Sequence, residues 1–213
     1  MVKQRERVIR RQVTSDHIVQ FFDAADTLGP AVAQFLHEGM VDGASALIVA
    51  RPSSTRAIAR ALEARGMSLD RLVESGGLTV LDAETALQAF MHETRPDGAR
   101  FDAAIGSLVR RLAGASSASV RIYGELVELL ASEGNFAGAE AVEDLWNELG
   151  QTESFMLLCG YSAAHFTGQS GREALRAICG KHGRVHQDNA DQLASWLLNN
   201  ADVASLTPVP SGH

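Results

Sequence analysis

The run "HIVQFF" at 17–22, followed by "DAADT" at 23–27, decides how this chain is read. The first run is largely apolar, as strands buried on both faces of a parallel sheet are. The next residues turn the chain, and Thr27 is placed to cap a helix carrying Leu28, Val32, Phe35 and Leu36 and ending near Gly39. A strand, a turn and a capped helix is where nucleotide-hydrolysing α/β proteins carry G-x-x-x-x-G-K-[ST], whose backbone N–H groups and lysine hold the phosphates. Here the turn holds two carboxylates, Asp23 and Asp26, with no glycine to let the backbone wrap a phosphate and no lysine in reach. That excludes ordinary nucleotide hydrolysis at this loop. The simplest role of the two aspartates is to complement the positive end of the following helix.

Working outward, further short apolar runs predict strands: "SALIVA" at 45–50, "LTVLDA" at 78–83, "SVRIY" at 119–123 and "FMLLCGY" at 155–161. Between them lie helical patterns. Ser53 or Ser54 can cap one carrying Ile58, Ala61 and Leu62 and ending at Gly66. Helical spacing also fits Ala86 to His92, Arg100 to Leu112, Leu126 to Ser132 and Ala139 to Leu149. Residues 171–200 read as two helices with Gly180 to Gly183 between them. Strand alternating with helix predicts a three-layer α/β fold around a mostly parallel sheet, with a helical C-terminal segment. In such sheets the functional surface lies at the carboxyl ends of the strands. The motif "GQSGRE" at 168–173 offers, beside Arg172, only a weak anion site, and a turn is its default reading.

With 213 residues, 46% of them apolar, the chain can bury a sizeable core. A formal charge of −7 argues against broad nucleic-acid affinity, which rests on clustered Lys and Arg. Lys3, Arg5, Arg7, Arg10 and Arg11 form a basic arm over 1–14; one domain is expected over 15–200 and a Pro/Ser/Gly-rich flexible tail over 201–213. Two cysteines do not make a disulfide framework, and no apolar run approaches the ~18 residues of a membrane span. A cytoplasmic protein that binds neither nucleic acid nor membrane is the expectation.

Four stretches together resemble the MEDS domain, the methanogen and methylotroph dichloromethane-regulator sensory domain. They are "DHIVQFFDAADTL" with "FLHEGMVDGASALIVA", "GGLTVLDAETALQAFM", "RIYGELVELLASEGNFAGAEAVEDLWNELG", and "FMLLCGYS" followed by "ICGKHGRV", spanning about 16 to 186. The resemblance implies a degenerate relative of RecA/KaiC-type ATPases that senses small organic compounds or relays signals in transcription regulation. It carries over His17 with Phe21 and Phe22, where the second aromatic is more often tyrosine. It also carries over Asp82, Tyr123 to Glu125, Trp146 with Asn147, Cys159 to Tyr161, and Cys179 with His182. His186 and Gln187 stand where a proline is usual.

The expected ligand-binding residues are His17, Phe22, Asp23, Tyr123, Glu125, Asn147, Cys159 and Tyr161: Phe22, Tyr123 and Tyr161 as apolar walls, His17, Glu125 and Asn147 as polar anchors. Glu125 stands where an ATPase would hold an acid, but without a phosphate cradle it either binds ligand or caps a neighbouring helix. Trp146 reads as core, and Cys159 as a small buried hydrophobe. His17, Cys159, Cys179, His182 and His186 are the chemistry zinc or iron prefers, yet only Cys179-x-x-His182 is local, so neither metal nor other cofactor is expected. The reading is a non-enzymatic sensory domain that binds a small organic molecule and relays to a regulatory protein partner. Two alternatives stand beside it: a protein-interaction or homodimerisation module with a filled pocket, using Leu193, Trp196, Leu197 and Leu198, and a residual enzyme using Glu125 or Cys159.

Overall fold

The computed structural model describes residues 15–22, 25–166, 168–182 and 184–187; the side chains of 25–27, 168 and 184–187 are not among those described. The basic arm, Asp23, the residues Leu193 to Leu198 and the tail lie outside the described residues.

The chain runs β1 (Asp16–Phe22), α1 (Ala25–Val41), β2 (Ala46–Ala50), α2 (Pro52–Glu63), α3 (Leu69–Glu74), β3 (Leu78–Asp82) and α4 (Ala83–Phe90). A short hairpin, β4 (Met91–His92) and β5 (Arg95–Pro96), leads into α5 (Gly98–Phe101), a π turn (Asp102–Gly106) and α6 (Ser107–Ala115). Then come β6 (Val120–Gly124), α7 (Leu126–Ser132), α8 (Phe136–Gly150), β7 (Phe155–Ser162), a 3₁₀ turn (Ala163–His165), α9 (Gly168–Lys181) and β8 (Arg184–Gln187). The main sheet has six strands in the order β3-β2-β6-β7-β1-β8, every described pairing parallel.

Side-chain alternation splits the sheet between two cores. Leu28, Val32 and Leu36 of α1 and Ile58 and Leu62 of α2 pack with Ile48, Tyr123 and Leu158 on one face. On the other, α4 to α9 pack over Val19, Leu47, Val49, Ile122, Leu157, Cys159 and Tyr161. Trp146 of α8 is enclosed here and meets Phe101 and Phe155 edge-on, as the core reading of this residue predicts.

Local chemistry sets the element ends. Gly66 (φ 77°) and Gly134 (φ 73°) close α2 and α7, each followed by a residue whose N–H reaches back to a helix carbonyl, Met67 to Leu62 and Asn135 to Leu130. This is the left-handed closure that glycine adopts without steric cost. The helix after β2 begins two residues earlier than a Ser53 cap would put it, three earlier than a Ser54 cap. Arg51 is its N-cap, with no side-chain cap bond, and Pro52 takes the first turn, where a missing N–H costs nothing. The single helix expected over Arg100 to Leu112 is interrupted by the π turn; Arg110 clamps Asp102 across it at 2.9 Å, and Gly106 leaves room for that carboxylate. After α9 the chain enters β8, lining up with β1 from Ile18↔Arg184 to Phe21↔Gln187, where a helix was expected to begin; the rest of that expected helix, 188–200, lies outside the described residues. A short, polar edge strand lacks the apolar run that reveals the inner ones.

Candidate functional site

At the carboxyl ends of β2, β6 and β7 the chain builds a network of charged groups. Glu125, directly after β6, is fully buried. Its Oε2 accepts the Arg51 backbone N–H at 2.7 Å and lies 3.4 Å from Arg51 Nε, while its Oε1 accepts the Tyr123 hydroxyl at 3.0 Å. Glu128, in the first turn of α7, accepts the Ser162 N–H at 2.8 Å, meets His165 Nε2 at 2.9 Å and lies 3.7 Å from the Arg51 guanidinium. Arg51 therefore spans both buried carboxylates. The Arg51 and His165 side chains are 31% and 26% exposed, so solvent reaches the network through them. Burial, reinforced by the Glu125 carboxylate, pushes the Tyr123 phenol well above its ordinary range. Beside the network lies an aromatic group, Phe21 stacked on Tyr161 with Phe166 edge-on to both.

A second cluster lies between the sheet and α8 and α9, level with the first half of β1. Glu143 of α8 is fully buried at its centre. Its Oε2 is 3.0 Å from His17 Nε2 and 3.7 Å from Cys159 Sγ; its Oε1 accepts the Tyr161 hydroxyl at 2.9 Å and is 3.4 Å from His182 Nε2. His17 Nε2 also lies 3.3 Å from Cys159 Sγ. His17 Nδ1 faces Asn147 Oδ1 at 2.9 Å, and Asn147 in turn donates to the Lys181 carbonyl at the end of α9. The two imidazoles lie against each other, ring centres 4.1 Å apart. Burial alone would push the Glu143 carboxyl up, but His182 and His17 outweigh it and hold the group well below the usual carboxylate range. Burial would likewise lower His17; Glu143 and Asn147 reverse that and raise it. Burial, with Glu143 alongside, pushes the Cys159 thiol and the Tyr161 phenol well above their usual ranges.

The expected site residues thus divide between two places. Tyr123 and Glu125 belong to the strand-end network; His17, Asn147, Cys159 and Tyr161 belong to the cluster under α8, on the opposite face of the sheet from Phe22 and Tyr123. Phe22 sits in the α1 core, so the three aromatic walls do not face one space. His17, second residue of β1, stands at the amino end of its strand, not at the carboxyl end with Glu125. Glu125 does serve a neighbouring helix, by receiving the N-cap N–H of α2. Asp82, at the end of β3, caps α4 through Thr85. Arg51, at a strand end where the functional surface was expected, and His182 join the two clusters; Glu128, Glu143 and His165 complete them and were not singled out from the sequence. Cys179, buried in the α9 core with its thiol pushed up to about 11, lies apart from the others, and Glu143 takes its place in the donor set. A shallow cleft of about 210 Å³ between α5 and α8, lined by Phe101, Asp102, Leu145 and Glu148, is separate from both clusters.

Among the described residues no helix is long and apolar enough to cross a membrane. The fold is similar to that of the flagellar accessory protein FlaH from Methanocaldococcus jannaschii, with a TM-score of 0.50 over 81% of this chain and 70% of that one. At 9% identity the likeness speaks to the fold alone, which is RecA-like. No curated protein matches the sequence. The profile of the MEthanogen/methylotroph, DcmR Sensory domain matches residues 16–182, and the chain belongs to this MEDS family of sensory domains.

Proposed function

We propose that the chain is a non-enzymatic sensory domain that takes up a small organic molecule at the carboxyl ends of β6 and β7 and relays its presence to a regulatory protein partner. The observation that carries this reading is the state of Glu125. The acid in the position of a catalytic group is fully buried and each of its oxygens already accepts a hydrogen bond, from Arg51 or from Tyr123, so it serves the fold. The neighbouring Glu128–His165 pair reaches solvent through His165, and its partners Ser162 and His165 adjoin Tyr161 and Phe166 in the chain. A polar pair over an enclosed aromatic core suits a ligand with one polar head and a short apolar body, which would enter by parting Phe21 and Phe166, each 7% exposed. His165 ends the turn that leads into α9, so a ligand that competes for Glu128 frees the start of that helix, and a partner touching α9 would read the change.

A thermal-shift panel of short alcohols, haloalkanes, amines and nucleotides tests the proposal. One class of small organic molecule should raise the melting temperature saturably, His165→Ala should abolish the rise, and ATP should neither stabilise the protein nor release phosphate. Uniform silence across the panel would remove the sensory-pocket reading and leave an interaction module with a filled pocket. Turnover of ATP abolished by Glu125→Gln would overturn the non-enzymatic one.

A further inference from the structure

We propose that His17, Glu143, Cys159 and His182 form a buried four-donor site for a divalent transition metal of the zinc class, pinning the end of α9 and the middle of α8 to strands β1 and β7. The candidate ligand atoms all lie within 4.8 Å of one another. Tetrahedral zinc with bonds of about 2.0–2.3 Å sets its donors roughly 3.3–3.8 Å apart. Around Glu143 Oε2, His17 Nε2 and Cys159 Sγ the three edges measure 3.0, 3.3 and 3.7 Å, already close to those values; His182 Nε2, 3.4 Å from the other Glu143 oxygen, and the rest of the set lie within 4.8 Å and must close by up to about an ångström to admit the ion.

The second observation is His182 Nε2, a fully buried nitrogen with no hydrogen-bond partner. Buried polar atoms left unpaired cost about 1–3 kcal/mol, and such an orphan calls for an explanation. Its ring is oriented for metal. Nδ1 is 2.7 Å from the Ile178 carbonyl, to which it donates its hydrogen, so in the neutral ring Nε2, 3.4 Å from Glu143 Oε1, is the atom left to bind an ion. His17 is held the same way, with Nδ1 donating to Asn147 Oδ1, whose own amide is fixed by the Lys181 carbonyl. Both imidazoles therefore have the outer-shell acceptor that metal-binding histidines use to fix their tautomer.

Charge agrees with geometry. Ionised Glu143 and a Cys159 thiolate carry two negative charges, which a dication cancels, with two neutral imidazoles completing the set. A neutral buried site avoids the cost of an isolated charge. On binding, the Cys159 thiol proton and the proton between His17 Nε2 and Glu143 leave to solvent. No oxidation step is involved. With four protein donors the coordination is closed, as in structural zinc sites. The proposal is independent of the strand-end ligand reading, since it uses other residues and another probe.

The test uses the full chain, stripped with chelator under reducing conditions and titrated with Co²⁺. Expected are the visible bands of tetrahedral cobalt and a thiolate-to-cobalt charge-transfer band, both saturating at one equivalent and both displaced by Zn²⁺. Zn²⁺ should also raise the melting temperature. Cys159→Ala should remove the charge-transfer band, and Asn147→Ala, which leaves all four donors in place, should weaken binding about tenfold or more. Because a buried substitution can unfold the chain, the folded wild type carries the decision: no charge-transfer band overturns the site. A band that survives in folded Cys159→Ala overturns it equally, by placing the metal elsewhere.

Discussion

Replacing Arg51 with alanine isolates what the strand-end network contributes to the fold. Its guanidinium is the cation beside two carboxylates that are almost fully enclosed, Glu125 and Glu128. Removing one partner of a wholly buried pair costs about 3–5 kcal/mol, chiefly because a charge is left without compensation. Two features reduce that figure. The arginine side chain is 31% exposed, and Glu125 keeps both the Arg51 backbone N–H and the Tyr123 hydroxyl, neither of which the substitution touches. The Arg51 side chain makes no cap bond, so α2 keeps its start. The loss should therefore be about 2 kcal/mol, most of it at Glu128, which retains only the Ser162 N–H and His165. For a domain of this size that is a fall of about 4–8 °C in Tm, and in urea a lower midpoint with an unchanged slope. Arg51→Ala should cost markedly less in a Glu128→Gln background, since the charge it exposes is already gone. A loss below ~0.5 kcal/mol, typical of an ordinary surface ion pair, would refute the argument that this cation compensates buried charge.

Two further outcomes follow from the same geometry. The chain contains two tyrosines, Tyr123 and Tyr161, and the surroundings push both phenols well above the ordinary range. An alkaline absorbance titration of the folded protein should show no tyrosinate until the chain unfolds. Each phenol binds its proton more tightly folded than unfolded, so its contribution to stability is whole below about pH 10 and declines as pH rises beyond it; a reversible tyrosinate signal near pH 10 in the folded state would show the interior to be open. Gly160→Ala should cost about 1–2 kcal/mol by denaturant titration, since the new methyl would lie 3.1 Å from the Tyr123 hydroxyl, which Glu125 holds in place. A neutral result would mean that Tyr123 is free to move away.

The inner strands are legible because burial on both faces demands near-continuous apolar residues, and the five runs quoted from the sequence fall within a residue or two of β1, β2, β3, β6 and β7. What escapes is structure whose cause is not periodicity. Strand β8 is specified by the free edge of β1 rather than by its own composition. The π turn depends on an Asp102–Arg110 clamp that closes only once the helix is bulged. The start of α2 is set by Pro52 and by a carboxylate from the far-off Glu125, while Ser53 and Ser54 are the better caps by local rules.

The sites divide the same way. His17, Asn147, Cys159 and Tyr161 enter through family likeness, but no local spacing joins them, since the pairs His17–Asn147 and His17–Cys159 are 130 and 142 residues apart. Glu143 had a readable signal. It follows Ala139 by four and precedes Trp146 by three and Asn147 by four, which puts an acid inside the apolar stripe of an amphipathic helix. Glu128, in "LVELLAS", is the same case, with Leu126, Val127, Leu130 and Ala131 buried around it. An acid on a buried stripe must find a partner, because desolvation otherwise makes the charge untenable. Each of these two found a histidine on a segment flanking one helix: Glu128 holds His165, just before α9, and Glu143 meets His182, just after it. The two clusters also touch successive residues of β7, through the Tyr161 hydroxyl and the Ser162 N–H. A group that displaced His165 and an ion that captured His182 would therefore act on α9 from opposite ends, and both sites are tied to the same strand.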